Sequence, residues 1–139
     1  MRAGRILAVL AVAALGVGLF SAVALAGKKK NTTVVFFSGN PKIGGGKTPN
    51  VNAKGTLNTV SACKISRGMT LFVTDVNGTA LATLDGSSSD SNGNWKLQGN
   101  VPSNLPTGSK FVQVKANKRT AGKFVCKAGF SALVPLPSA

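Results

Sequence analysis

Short runs of alternating apolar and polar residues recur along this chain, and they constrain its fold more than any other feature. In one run Met69, Leu71 and Val73 point to one side, while Thr70 and Thr74 point to the other. Clusters rich in Gly, Asn, Ser and Pro separate the runs, and no long apolar pattern of helical period appears. The sequence therefore predicts an all-β domain whose strands bury one face.

The spacing of the runs, roughly ten residues, is typical of an antiparallel β-sandwich of about seven strands. Asn77-Gly78 has the composition of a type I′ turn and predicts a hairpin between the third and fourth runs. The predicted strands are residues 33–37, 51–59, 69–75, 80–84, 94–98, 111–116 and 124–134, with the last bent or split at Gly129.

Side-chain alternation in the later runs predicts which residues face the core. Trp95 and Leu97 alternate with polar neighbours, and Phe124, Cys126 and Phe130 are expected to share one face of the last strand. Strands with one apolar face imply two sheets packed on each other. A true immunoglobulin domain fits less well, because Trp95 lies midway between the two cysteines and the chain has no Tyr.

The beginning of the chain has the three parts of a secretory signal peptide. Arg2 and Arg5 form a positive start, residues 6–25 are uncharged and apolar, and residues 24–26 form a small-x-small cleavage site. We expect residues 1–26 to be removed. An uncleaved signal-anchor is the alternative, because an apolar run of this length is just able to span a bilayer.

After signal cleavage we expect a secreted or envelope-associated protein with no membrane segment. The remaining chain has the length of one domain. We place a basic leader, expected to fray, at residues 27–32 and a single domain at residues 33–139.

Both cysteines, Cys63 and Cys126, lie in the part of the chain that would be exported. Two thiols in an oxidising compartment normally pair, so we predict a disulfide. Closing so long a loop stabilises a small domain by about 4 kcal/mol on the chain-entropy model. A redox or metal-binding pair is the alternative, but the spacing is not Cys-x-x-Cys and no His completes a metal site.

The residues that usually carry catalysis are nearly absent. The chain has no His, Glu or Tyr, and its only acids are Asp75, Asp85 and Asp90. Acid-base chemistry, nucleophile activation and metal binding draw mainly on these residue types. We therefore predict a protein that is not an enzyme and has no cofactor or metal. A hydrolase using Ser66 and Lys64 is the remaining catalytic alternative, although no recognisable motif surrounds the pair.

Two loops match ligand-binding motifs incompletely. The Gly-rich residues 44–48 end in Lys-Thr, but the phosphate-binding pattern needs Gly where Pro41 stands. Asp90, Asn92 and Gly93 have the spacing of a calcium loop without its further carboxylates. We expect a flexible loop in the first case and a turn bonded to its own backbone in the second.

Several segments together carry a family resemblance. The order of residues 63–72, 90–95, 105–108, 111–114 and 126–131, with a cysteine near each end, resembles the carboxypeptidase regulatory-like (prealbumin-like) β-sandwich domains, of the small secreted actinobacterial type. The resemblance implies a structural or binding module of exported bacterial proteins without catalysis of its own.

The chain is strongly basic, with 17 Lys and Arg against three acids and a net charge of +14. Such a surface attracts polyanions, for example anionic cell-wall polymers, polysaccharides or extracellular DNA. A solvated outer face that keeps strand edges from pairing is the alternative explanation. We expect no specific nucleic-acid recognition, since the cations are mostly Lys and the aromatics lie on core faces. The predicted polyanion contacts are Lys110, Lys115, Lys118, Arg119, Lys123 and Lys127.

The first functional hypothesis is thus a secreted, non-enzymatic module of the cell envelope or extracellular space, whose partners are anionic cell-wall polymers or other envelope proteins. The alternative is a basic protein whose main role is polyanion binding. The two differ in the salt dependence of binding, which is steep for a polyanion partner.

Overall fold

The computed structural model describes residues 28–137, and this stretch is mainly β-strand. The predicted signal peptide at residues 1–26 lies outside the described residues. In chain order the elements are β1 (Lys29–Asn31), β2 (Val34–Phe37), β3 (Lys42–Ile43), β4 (Asn50–Asn58), α1 (Ser61–Lys64), β5 (Gly68–Thr74), β6 (Ala80–Ser88), β7 (Asn94–Asn100), β8 (Phe111–Ala116), β9 (Arg119–Ala121), β10 (Phe124–Cys126), β11 (Gly129–Phe130) and β12 (Val134–Pro135).

These strands form three hydrogen-bonded sheets. In the β5 sheet, β5 lies between β6 and β8, and β8 also pairs with β11 and β12. In the β4 sheet, β7 pairs along one side of β4, while β2 and β3 pair along the other. The small sheet has the order β1-β10-β9, with β1 parallel to β10 and β9 antiparallel to it. The all-β prediction is therefore confirmed.

Inward side chains of the β4 and β5 sheets form one hydrophobic core, as the alternating pattern predicts. Trp95 packs edge-on against Phe37, with the ring centroids 5.7 Å apart. The buried members of the core are Val35, Val51, Ala53, Leu57, Met69, Leu71, Val73, Trp95, Leu97, Val101, Val112, Val114 and Ala116.

Thr74 is an exception to the expected alternation, because it faces inward and is 1% exposed. The pairing of β5 with β6 shifts register between Val73 and Thr74. A bulge adds a residue to one strand, and consecutive side chains can then point to the same side. The Thr74 hydroxyl donates to the carbonyl of Asp75 at 3.0 Å, which gives this buried group a partner.

The single strand expected over residues 124–134 is divided among three strands in two sheets. Cys126 is fully buried, whereas the Phe130 side chain is 54% exposed. The prediction that they share a face is therefore wrong, because β10 and β11 belong to different sheets. The split near Gly129 is confirmed. A Cβ added to Gly129 would overlap the carbonyl of Thr33, so this close approach requires glycine.

The leader expected to fray instead contains a strand. β1 pairs with β10, and the N–H of Lys29 donates to the carbonyl of Lys123 at 2.9 Å. Strand β9 pairs with one edge of β10. Without β1 the backbone groups on the other edge of β10 would have no strand partner. The sequence of β1 did not indicate a strand, because its residues are two lysines and an asparagine, with no alternation of apolar and polar side chains.

Two turns share the sequence Asp-x-Asn-Gly. In the first, the N–H of Gly78 donates to the carbonyl of Asp75 at 3.1 Å, and the N–H groups of Asn77 and Thr79 donate to the Asp75 carboxylate. In the second, the corresponding bonds join residues 90–94. The backbone-bonded turn expected at Asp90 is thus confirmed.

The first of these turns joins β5 to β6, as predicted, but it is not of type I′. That type needs a positive φ at both central residues. Gly78 has φ of 81°, whereas Asn77 is not among the residues with positive φ. The Asp75 carboxylate accepts hydrogen bonds from backbone N–H groups of the turn. With this support the turn needs a positive φ at Gly78 alone.

The predicted disulfide is present. Cys63 in α1 is bonded to Cys126 in β10, across a sequence separation of 63 residues. Both cysteines are fully buried. The bond attaches α1, which packs on β9 and β10, to the small sheet.

Candidate functional site

The small sheet brings together lysines from both ends of the described chain. Lys29 lies beside Phe124, and Lys30 lies beside Val125, in the parallel pairing of β1 with β10. The N–H of Lys127 donates to the carbonyl of Asn31 at 2.9 Å, which fixes the end of this pair. Basic residues that are far apart in sequence are thus held on one sheet.

We call the exposed lysines on and beside this sheet the cationic cluster. All of them are solvent-exposed, so their ammonium groups are free to meet a ligand in solution. Lys123 also places its Nζ 5.8 Å from the ring centroid of Phe124, a distance compatible with a cation–π contact. The cluster consists of Lys28, Lys29, Lys30, Lys118, Lys123 and Lys127.

Half of the lysines and arginines predicted as polyanion contacts lie in the cationic cluster, namely Lys118, Lys123 and Lys127. Lys115 lies on the outer face of β8, with its Nζ 5.6 Å from the ring centroid of Phe130. Lys110 borders a separate cavity of about 600 Å³, together with Lys47 from the Gly-rich loop. The late basic residues are therefore spread over three places rather than one.

Arg119, also predicted as a polyanion contact, makes hydrogen bonds within the fold. Its Nη1 donates to the carbonyl of Ser66 at 2.8 Å, and its Nη2 donates to the carbonyl of Ala62 at 2.9 Å. These bonds hold β9 against α1 and the residues after it. Both terminal nitrogens are therefore engaged with backbone oxygens of α1 and the residues after it.

Arg67 is the most unusual residue of the molecule, because its long cationic side chain is 0% exposed. Its Nε donates to the carbonyl of Asn117, and its Nη2 donates to the carbonyl of Lys127, both at 2.6 Å. Its Nη1 donates to the Thr33 hydroxyl at 3.1 Å and to the Cys63 carbonyl at 3.0 Å. One guanidinium thus bonds a disulfide cysteine, the link between β1 and β2, and the residues that follow β8 and β10.

The backbone of Arg67 is held as firmly as its side chain. Its N–H donates to Ser89 Oγ at 2.8 Å, and the Ser89 hydroxyl donates to the carbonyl of Lys64. Ser89 is also buried. Buried polar groups need such partners, since an unpaired one costs about 1–3 kcal/mol.

Burial of the guanidinium, and to a smaller extent the positive charge of Arg119, lower the pKa of Arg67. An arginine starts from so high a value that it stays protonated under physiological conditions. The charge is compensated here by carbonyl and hydroxyl oxygens, not by a carboxylate. This role could not be predicted from the sequence, because the oxygens come from segments that are distant in the chain.

The three carboxylates are engaged with backbone N–H groups. Asp75 and Asp90 bond their own turns, and the N–H groups of Asn94 and Asn92 lower the pKa of Asp90. Asp85 accepts from the N–H of Gly86 at 2.8 Å and from that of Gln98 at 2.9 Å. The bond from Gln98 gives a partner to a backbone N–H at the edge of β7. The repeated Asp-x-Asn-Gly sequence was a visible signal for this structural use.

Ser66 and Lys64, the pair of the catalytic alternative, both contact neighbouring parts of the fold. The carbonyl of Ser66 accepts from Arg119, and the carbon chain of Lys64 lies against Gly93. Residues 28–137 contain no group of three or more His, Cys, Asp or Glu side chains suited to a metal ion. No helix within this range is long and apolar enough to cross a membrane.

Comparison of the chain with protein-family models, curated proteins and solved structures gives no match. The two distinctive features of the molecule are the exposed cationic cluster and the buried Arg67 that supports it.

Proposed function

We propose that this chain is a secreted, non-enzymatic β-sandwich of the carboxypeptidase regulatory-like, prealbumin-like class, and that it acts as an interaction module of the bacterial envelope or extracellular space. Its partner is a polyanion that contacts the cationic cluster. The observation that carries the proposal is the presence of six exposed lysines on the small sheet and its borders.

The shared core of the β4 and β5 sheets supports the sandwich assignment, because side chains from both sheets pack into one cluster. The disulfide supports export, since such bonds persist in oxidising compartments. The engagement of Asp75, Asp85 and Asp90 in backbone bonds supports a role without catalysis.

Electrostatics favours a polyanion over a neutral partner. Lysine side chains are flexible point charges that suit contact with a charged polymer more than recognition of one fixed shape. If all six lysines displace counterions, the logarithm of the affinity for DNA falls with a slope of about −5 against the logarithm of salt concentration. A purely structural module would show no such dependence.

The test compares two variants that lose the same charge. In the first, Lys30, Lys123 and Lys127 of the cationic cluster are replaced by Gln. In the control, Lys47, Lys110 and Lys115 are replaced by Gln. Binding of a fluorescent heparin fragment is measured by anisotropy over a salt series.

We expect the first variant to bind at least about tenfold more weakly, with a shallower salt slope, because three ammonium contacts are removed. The control should change by less than about threefold, through net charge alone. Equal losses in both variants would show that net charge and not this surface attracts the polymer. Absence of binding by the native protein would contradict the polyanion part of the proposal.

Export has its own test. Mass spectrometry of the protein harvested from culture medium and envelope should give a first residue of Gly27 if residues 1–26 are removed. Recovery of the protein only with its first 26 residues intact and bound to membrane would instead support the signal-anchor.

A further inference from the structure

The outer face of the β4 sheet carries a polar platform distinct from the cationic cluster. Its side chains alternate with the buried ones of β4 and β7, and all those named here are exposed or half-buried. Apart from Phe36, they are amides, a hydroxyl and three ammonium groups. The platform consists of Phe36, Lys42, Asn52, Lys54, Thr56, Asn94, Lys96 and Gln98.

Lys54 and Lys96 lie directly opposite each other in the pairing of β4 with β7. Like charges in this arrangement are destabilising, because opposite side chains have Cβ atoms only about 5 Å apart. The buried neighbouring pairs Ala53–Leu97 and Gly55–Trp95 fix the register. The strand pair therefore places two exposed lysine side chains next to each other, and an anion between their ammonium groups would offset the repulsion.

A cavity of about 450 Å³ lies beside this lysine pair, within the size range of small-ligand sites. Ser38, Asp90 and Asn94 also border it and offer hydroxyl, carboxylate and amide groups. Trp95 also borders this cavity, and its indole packs inward, on the side of β7 opposite to Lys96.

Phe36 adds an apolar element to the platform. Its side chain is 50% exposed, and it lies in one row with Thr56 and Asn94, next to the row of Lys54 and Lys96. It gives the platform a flat apolar surface adjacent to the paired charges.

We propose that this face binds an acidic oligosaccharide. The carboxylate of a sugar acid lies between Lys54 and Lys96. The hydroxyls of the sugar bond the amides and hydroxyls of the platform and the carboxylate of Asp90. The apolar side of a sugar ring rests on Phe36. The site goes beyond the polyanion surface proposed above, since it lies on another sheet and recognises sugar as well as charge.

A single-stranded nucleic acid fits these groups less well. Sequence-tolerant binding of single strands uses several aromatic rings on which successive bases stack. Phe36 is the one aromatic residue of the platform, whereas amides and hydroxyls surround it on the neighbouring rows. These groups match the hydroxyls of a sugar chain.

The test is a calorimetric titration of the purified protein with trigalacturonate and with its methyl ester, which has the same rings without the charges. The variant replaces Lys54 and Lys96 by Gln. The control replaces Lys47 and Lys115 by Gln, with the same loss of charge outside both the platform and the cationic cluster. A thymidine oligonucleotide is titrated in parallel, and the melting temperature of each variant is measured.

We expect native protein to bind the acid at least about tenfold more tightly than the ester, and the Lys54/Lys96 variant to lose that preference. The control variant should keep the preference for the acid over the ester. The Lys54/Lys96 variant should also melt about 1–4 °C higher, because the like-charge pair is gone. Phe36→Ser should weaken binding of acid and ester alike.

Four results would overturn the proposal. They are no binding of trigalacturonate, equal binding of acid and ester, equal losses in the variant and its control, or tighter Phe36-dependent binding of the oligonucleotide. None of them depends on the heparin experiment, which uses lysines of the small sheet. The small sheet is tested by the difference between the two triple variants and not by heparin binding as such, so different measurements decide the two proposals.

Discussion

The Nη2 of Arg67 donates a hydrogen bond to the backbone carbonyl of Lys127 at 2.6 Å. A buried cation thus holds the main chain of a residue whose own ammonium group is exposed in the cationic cluster. The same guanidinium bonds the carbonyls of Cys63 and Asn117. One buried side chain therefore anchors the backbone at Lys127, within the surface proposed to bind polyanions.

Replacing Arg67 by Met should reduce the free energy of unfolding by about 3 kcal/mol or more, because several buried oxygens lose their donors. Arg67→Lys should also destabilise strongly, since one ammonium cannot reproduce the planar set of donors. Urea unfolding measures both effects. Lys118→Gln, at an exposed position, serves as the control and should change stability by less than about 0.5 kcal/mol. A stable Arg67→Met protein would show that the buried network contributes little.

Replacing Cys63 and Cys126 together by Ala should cost about 4 kcal/mol, because the disulfide restricts a long loop of the unfolded chain. The expected loss appears as a lower midpoint in urea unfolding. Reduction of the native protein should give a similar shift, whereas reductant should not change the double variant. The prediction fails if the double variant and the oxidised native protein unfold at the same urea concentration.

Gly55→Ala should destabilise the protein by several kcal/mol, or prevent folding, because the added Cβ would overlap the Phe36 carbonyl and the Trp95 indole. Gly45→Ala is the matched control, since nothing lies within 4 Å of the Cβ that it adds. Thermal unfolding followed by Trp95 fluorescence measures both variants. Similar melting temperatures for the two variants would contradict the close packing of Trp95 on β4.

The turn at Asp90 should make stability depend on pH in the acid range. Backbone N–H groups, that of Asn94 above all, lower the pKa of Asp90 below its ordinary value of 3.8. Ionised Asp90 therefore stabilises the fold above that value, and the contribution is lost as pH falls through the lower pKa of the folded state.

Unfolding free energies of native protein and of Asp90→Ala, measured across pH, check this sign. The difference between them should be constant at neutral pH and should shrink as the carboxyl group becomes protonated. A difference that grows in acid would mean that the turn does not stabilise the ionised form.

Much of the β4 and β5 sheets could be predicted from local sequence. Leu71, Val73, Trp95 and Leu97 face the core as alternation requires, since side chains on a strand point to opposite faces in turn. Thr74 departs from the pattern because the bulge depends on the partner strand. A register shift is a property of two strands and cannot be seen in one.

The candidate sites were less predictable. The lysines were visible, but the grouping of Lys29 and Lys30 with Lys123 and Lys127 depends on β1 joining β10. The burial of Arg67 was not foreseen, because arginine is almost never fully buried unless its charge has partners. Those partners lie in segments distant in the chain.

By itself, the sequence determined the fold class, the cysteine pair and the scarcity of catalytic side chains, since alternation, thiol count and composition act locally or need no geometry. Tertiary structure alone decided which charges meet. Strand pairing set Lys54 against Lys96 and brought Lys29 beside β10, and it buried Arg67 among carbonyls. The physical reason is that electrostatic and hydrogen-bond partners are chosen by distance in space, which strand order and register fix and which a linear sequence does not express.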